Sequence, residues 1–340
     1  MTYPFFEYNY NFSGGTEYMA KEAHKRFLHK LPKFSRFYCY VIPGRAPQPE
    51  HLDGSPIIVW IHNPLDQLGE GVHDMFRNHR FVQSIAYVIV PSEWLKQRLI
   101  HQMDAIPLAP EQYIVIPNAI DPLESDQGRF VGYVKKPVLI HASRQNRGME
   151  VLIPAVHAIE EDFELKVFND FDPDVEEIAE DIQEIVLDPR ITYYNDTPRA
   201  TVMKYMAQAH IHAYPAYWEE TSCLVQIEAL TGGLLTVTSD VAALPETSRG
   251  FSMSVPFTAP SEREEGGRDA DIANFSYSLE EAIRIVKSGL WIPGEQVRET
   301  SAYYSWERAE ERWTAFHKRR ASRTVVAVSC AYLGDTSMLT

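Results

Sequence analysis

The residues best suited to chemistry lie in one stretch, Pro215-Ala-Tyr-Trp-Glu-Glu-Thr-Ser-Cys-Leu-Val-Gln-Ile-Glu-Ala-Leu, which runs on to Thr231-Gly232-Gly233. Its pattern is a strand over Ile211 to Tyr214, then a polar elbow, then a helix opening near Thr221 or Ser222. The backbone N–H groups that open a helix make a ready site for an anion such as a diphosphate. Glu228 shares the helix with the apolar Leu224 and Ile227, which turns it inward. A buried carboxylate without donors is penalised by several kcal/mol, so it requires hydroxyl or cationic partners. The two hydroxyls of a ribose would supply them, and Glu220 could take the hydroxyls of a sugar in the same way. Read alone, Glu219 and Glu220 serve equally well as helix caps, with Glu228 solvated. A second cluster is Ile140-His141-Ala142-Ser143-Arg144-Gln145-Asn146-Arg147-Gly148, where two guanidiniums follow a strand. Arg144 and Arg147 offer charge and forked donors to phosphate oxygens, although a surface loop with two arginines reads the same way in isolation.

These groups need a frame that brings strand ends together. Short β-branched or aromatic runs alternate with amphipathic stretches along the chain, the pattern of parallel sheets wrapped by helices. Strands are expected at Phe37 to Ile42, Ile57 to Ile61, Ala86 to Val90 and Tyr113 to Ile116, with helices at Glu17 to His29, Val72 to Phe81 and Ser92 to Met103. The second half repeats the scheme, with strands at Val138 to His141, Leu165 to Phe168, Ile191 to Tyr194, Ile211 to Tyr214 and Leu235 to Thr238. Its expected helices are Met149 to Ile159, Val175 to Val186, Arg199 to Gln208, Leu224 to Thr231 and Ser278 to Lys287. A length of 340 residues suits two domains of about 150 each. The division reads as a Rossmann-like domain over 1–121, a linker over 122–136 rich in Pro and Gly, and a second Rossmann-like domain over 137–300. A helix over 301–320 and a tail over 321–340 of unknown role follow. A ligand is expected in a cleft facing the carboxyl ends of both sheets.

Apolar residues make up 45% and charged residues 23%, and no run approaches the roughly 20 apolar residues of a spanning helix. The start, MTYPFFEYNYNF, lacks the layout of a signal peptide, so a cytoplasmic protein is expected. Cys39, Cys223 and Cys330 match no metal or disulfide spacing and read as reduced and structural. The formal charge of -15 is carried entirely by residues 137 to 340, whereas residues 1 to 136 balance 14 basic against 14 acidic side chains and hold seven of the twelve histidines. This balance weighs against nucleic acid as a partner, less so for the neutral first half.

Glu220 and Glu228, with seven residues between them, resemble the E-x7-E element of family 4 glycosyltransferases, enzymes of the α/β GT-B fold with two Rossmann-like domains. Pro215, Leu224, Ala229 and Gly232 or Gly233 also fall in place, while Ser222-Cys223 stands where Phe-Gly is common. Arg144 and Arg147-Gly148 are similar to the family's Gly-Arg and Lys-Gly pair, and Ile116-Pro117-Asn118-Ala119-Ile120-Asp121 to its Ile-Pro-Asn-Gly-Val-Asp. Ser13-Gly14-Gly15-Thr16-Glu17 resembles its glycine turn, and His62-Asn63-Pro64 its His-Glu-Pro. The Val90-Pro91-Ser92-Glu93 turn and the late Tyr304-Ser305-Trp306 are also family-like, so the resemblance spans about residues 12 to 318. Two departures stand out: Tyr3 to Tyr10 is short for the family's first strand, and Asn169-Asp170 replaces a glycine pair after the second strand of the second half.

The resemblance implies a retaining transfer of a sugar from a nucleoside diphosphate donor, uridine favoured over guanosine or adenosine, to a glycan, lipid or small-molecule hydroxyl. It places Gly14, Gly15, Arg144, Arg147, Thr221, Ser222, Cys223 and Leu224 at the donor phosphates. Glu228 would face the ribose, Glu220 the moving sugar, and His62 the sugar and acceptor. Retention by front-face displacement asks for no protein nucleophile; the cations and helix start stabilise the leaving diphosphate, so no metal and no cofactor beyond the donor is expected. A hydroxymethylated base of viral DNA is a second acceptor class. Outside this class stand a sugar nucleotide epimerase, which needs no acceptor, a phosphorylase, which needs inorganic phosphate, and a non-catalytic nucleotide-sugar-binding protein. Oligomeric state is left open.

Overall fold

The alternation of apolar runs with amphipathic stretches becomes two parallel sheets in a computed structural model that describes residues 15–30, 36–39, 57–67, 76–103, 108–144, 146–170, 188–258 and 267–333. These residues divide into two units. The first draws on Met1–Pro91, Arg98–Ala119 and Ser305–Thr340, and the second on Ser92–Gln97 and Ile120–Tyr304.

In the first unit β1 (Arg36–Cys39), β2 (Ile57–Trp60), β3 (Ile85–Val90) and β4 (Tyr113–Val115) pair in parallel in chain order. The run Ile58 to Ile61 is buried throughout, as a strand covered on both faces must be. Helices α1 (Gly15–Arg26), α2 (His79–Ser84) and α3 (Glu93–Gln102) precede or connect the strands. The chain's last helix, Trp306–Leu333, returns to this unit, so the helix expected over 301–320 runs on into the stretch read as a tail. Its Trp313 is buried edge-on against Trp60, with ring centroids 5.2 Å apart, and Phe316 meets Tyr87 at 5.1 Å. Phe27 at the end of α1 packs on both Trp306 and Trp313. Each such ring taken out of water stabilises the unit by about 2–3 kcal/mol.

The second unit holds six parallel strands: β5 (Val138–Arg144), β6 (Glu164–Asp170), β7 (Ile191–Asn195), β8 (Ile211–Tyr214), β9 (Leu235–Ser239) and β10 (Ser252–Val255). Their order, β10-β9-β8-β5-β6-β7, is the doubly wound one, in which the chain runs outward from β5, then crosses back to β8 and runs outward the other way. Helix α4 (Met149–His157) follows β5, α5 (Arg199–Met206) follows β7, α6 (Leu224–Thr231) follows β8, and α7 (Leu244–Ser248) follows β9. The longer α8 (Gly267–Lys287) and then α9 (Gly294–Tyr303) complete the unit. Val151, Leu152 and Val156 of α4 share one core with Phe275, Leu279 and Ile283 of α8; Met206, Ala209, Ala229 and Leu234 form a second with Ile140 and Phe168.

Several expected boundaries shift. The helix expected over Val72 to Phe81 is broken within its span: Phe76 is helical, Arg77 turns, and the Asn78 side chain accepts from the amides of Arg80 and Phe81 and starts α2 there; residues 72–75 lie outside the described set. Strands β5 and β6 extend two or three residues past their apolar cores, with Ser143 and Arg144 in register with Asn169 and Asp170. Helix α8 begins eleven residues before the expected Ser278, and β10, α7 and α9 were not foreseen. The helix expected over Val175 to Val186 and residues 40–42 of the first strand lie outside the described residues.

Candidate functional site

The strand order fixes where the second unit's site lies. Strands β5 and β8 are neighbours at the switch of winding direction, yet they pair only at Leu139 with Ile211 and Ile140 with His212. Beyond that the backbones part, and a side chain takes over the bridging. His141 Nδ1 lies 2.9 Å from the Ala213 carbonyl and Nε2 3.1 Å from the Ser143 hydroxyl. A carbonyl only accepts, so Nδ1 carries the proton and Nε2 receives the hydroxyl's. Burial holds this imidazole down to about 4, the Ala213 bond opposing, so it is neutral at physiological pH.

Two loops meet across the opening. Gly148, at the N-cap of α4, has φ +91, and a Cβ there would stand 2.2 Å from the Pro215 carbonyl oxygen. Only a residue without a side chain fits so close a backbone approach in the left-handed region. That approach brings Arg147 to Glu220, 73 residues further along the chain: Arg147 Nε donates to Glu220 Oε1 at 2.9 Å. The Tyr214 hydroxyl donates to the same oxygen at 2.8 Å. Trp218 supports the cation from below, its ring centroid 4.0 Å from the guanidinium carbon, and Arg147 Nη1 donates to Asn146. Among the described residues this leaves Arg147 Nη2 and Glu220 Oε2 uncommitted, one a donor and the other an acceptor. Burial, with Cys223 and Glu220 beside it, lifts Tyr214 well above the ordinary phenol range, which keeps its proton on the bond to Glu220.

Helix α6 opens at Leu224, later than Thr221 or Ser222. The Glu220 carbonyl accepts from the amide of Ala243, and its amide donates to the Trp218 carbonyl, so residues 219–222 form an elbow tied to the next loop. Cys223 is the N-cap, with no side-chain capping bond. Its thiol is buried and pushed up chiefly by burial and then by Glu220, so it is unreactive. Four residues into the helix, Glu228 is 2% exposed, and its Oε1 is held by Arg199 at the first position of α5. Its Oε2 is buried with no hydrogen-bond partner.

The other expected residues fall less neatly together. Arg144 ends β5, but its side chain lies outside the described residues, as does Gly14; Gly15 is the first residue of α1. Thr221 and Ser222 sit in the elbow, half-buried. His62 follows β2 in the first unit, buried and lowered to about 3 by desolvation. Asn169 and Asp170 are strand residues, and the Asn169 carbonyl accepts from the Asp196 amide. Tyr214, Trp218 and Arg199 were missed as site residues, since their contacts depend on sheet order. Asp-x-Asp spacings occur at Asp170, Asp172 and Asp174 and at Asp269 and Asp271. Asp271 is buried and accepts from the Tyr217 hydroxyl and the Thr258 amide, a structural use.

Residues 136–262, which contain β5 to β10 and this site, match the family model described as "Glycosyl transferases group 1". The second unit thus carries a group 1 glycosyltransferase domain. Among solved structures the chain is similar to sucrose-phosphate synthase from Thermosynechococcus elongatus, with 19% identity, TM-score 0.57, and 81% of this chain and 70% of that one covered. It is also similar to a glycosyltransferase from Rickettsia africae ESF-5 (12% identity, TM-score 0.61, 92% and 84% covered). A third is the Anabaena protein HepE, solved in complex with UDP and glucose (16% identity, TM-score 0.57, 80% and 72% covered). The fold is that of the GT-B glycosyltransferases. A comparison with curated protein sequences finds no match.

Proposed function

We propose that this chain is a retaining glycosyltransferase of the family 4 kind, moving a sugar from a nucleoside diphosphate donor, UDP for preference, to an acceptor hydroxyl. The observation that carries the reading is the convergence of Arg147 and Glu220 at the β5–β8 switch point, each with an uncommitted polar edge. An uncommitted guanidinium edge suits the leaving diphosphate, as do the amides at the opening of α6, which follow Glu220 by a few residues. The free oxygen of Glu220 suits hydroxyls of the transferred sugar, and Oε2 of Glu228 a ribose hydroxyl. Arg144 is assigned to the same diphosphate.

In this reading the acceptor oxygen forms its bond to the anomeric carbon on the face from which the diphosphate departs, and a leaving phosphate oxygen takes its proton. Arg147 stabilises the charge that develops on the leaving group; Tyr214 and Trp218 keep Glu220 and Arg147 in place. His62, neutral because it is buried, is assigned a hydrogen bond to sugar or acceptor. HepE with bound UDP and glucose supports the donor class. The test is proton NMR of the first product formed from UDP-sugars and a panel of glycan, lipid and small-molecule acceptors. The donor's anomeric configuration is expected in the product. An inverted signal overturns the mechanism, and no release of UDP with any donor or acceptor overturns the activity.

A further inference from the structure

A buried carboxylate with one oxygen paired and the other empty invites a question about what the pairing does. Glu228 lies on α6 among Gln226, Ile227, Ala229 and Leu230, all buried, and is itself 2% exposed. Ionised and alone there it would be strongly disfavoured, and it would turn to whatever donor it could find or take up a proton. Arg199 prevents both. It reaches Glu228 Oε1 from the first turn of α5, 29 residues earlier and on a different element, while its own side chain stays 46% exposed. One oxygen is thereby held by the guanidinium, and Oε2 is left buried with no hydrogen-bond partner.

We infer that Arg199 is a positioning residue for donor recognition: it holds Glu228 ionised and oriented so that Oε2 accepts a ribose hydroxyl of the nucleotide. The inference rests on the reading of Glu228 as the ribose contact and adds what makes that contact selective. A charge-assisted hydrogen bond from a hydroxyl to a fixed, buried carboxylate oxygen is worth about tenfold or more in affinity. The same bond to a carboxylate that is protonated or free to rotate is worth much less. Arg199 therefore acts on the hydroxyl-dependent part of binding and leaves the part due to base and diphosphate alone.

The experiment measures, by calorimetry at one pH and salt concentration, the affinity of the full chain for UDP and for 2′,3′-dideoxy-UDP. GDP and ADP are run beside their dideoxy analogues. The wild-type chain is expected to prefer the hydroxylated ligand by about tenfold or more. Arg199→Ala should bring that preference to within about twofold by weakening UDP while leaving the dideoxy ligand unchanged, and Arg199→Lys, which keeps the charge, should restore part of it. A purely structural role for Arg199 would weaken both ligands together and refute the inference. So would an Arg199→Ala chain that keeps the wild-type preference. A wild-type chain with no preference in any nucleotide pair would instead overturn the ribose reading of Glu228 itself. Glu228→Gln tests the ribose reading by itself: it should abolish the preference, and a preference kept in that variant would overturn that reading.

Discussion

Replacing Arg147 by alanine tests the site where the geometry is most constrained. The guanidinium makes one charge-assisted bond to Glu220 at 2.9 Å, lies over Trp218 at 4.0 Å, and in the proposed reaction turns its remaining edge to the departing diphosphate. Both side chains are largely buried, 15% and 17% exposed, so solvent screens the pair little. Losing a preorganised donor at developing negative charge lowers turnover by about 10²- to 10³-fold, or roughly 2.7–4 kcal/mol of transition-state stabilisation. Glu220 keeps its bond from Tyr214, so the elbow should hold its shape and the variant should fold. Arg147→Lys retains the charge without the fork and should fall between the two. The assay is steady-state release of nucleoside diphosphate, with kcat and kcat/KM measured separately. An Arg147→Ala chain within threefold of wild type in kcat/KM, its fold verified by circular dichroism, would refute the assignment of this cation to the leaving group.

Gly148→Ala should abolish nucleotide binding in thermal-shift assays while the far-ultraviolet spectrum persists, since its Cβ would meet the Pro215 carbonyl at 2.2 Å and force the two site loops apart; unchanged binding would contradict the close approach. Trp313→Ala removes a buried ring packed on Trp60 and should destabilise the first unit by about 3–5 kcal/mol in urea unfolding, with a loss under 1 kcal/mol contradicting the packing. Burial lowers His62 to about 3, His141 to about 4 and His212 to about 3, so protons bind the unfolded chain first as pH falls below about 6.5. Each of the three removes about 2 kcal/mol of stability by pH 5. The melting temperature should therefore fall steadily from pH 6.5 toward 4, and a flat profile over that window would contradict the buried neutral imidazoles.

The sequence made the local parts of this site legible. Ile211 to Tyr214 as strand, the polar elbow and Leu224 to Thr231 as helix could be read from periodicity, and the inward turn of Glu228 followed from its apolar neighbours. What links the parts could not be read so. Arg147 and Glu220 are 73 residues apart, and nothing local says that β5 and β8 are neighbours; only the crossing of the chain from β7 to β8 makes them so. Arg199 looked like the start of an amphipathic helix, and its role depends on α5 and α6 lying on the same face of the sheet. Tyr214 and Trp218 read as an apolar strand end and an aromatic in a loop, because a hydroxyl or ring finds its purpose only in the partner that the fold supplies. The short α7 and β10 escaped for a different reason: Leu244 to Ser248 is too brief for a helical period, and Ser252 to Val255 alternates too weakly for a strand.

The account's central claim is that the β5–β8 switch point takes a nucleoside diphosphate, and a crystal structure of the chain with UDP measures it directly. Diphosphate oxygens are expected within about 3.2 Å of an Arg147 guanidinium nitrogen, with a ribose hydroxyl at the same range from Glu228 Oε2. UDP bound away from both residues, or a chain that binds no UDP, GDP or ADP at millimolar concentration, would contradict it.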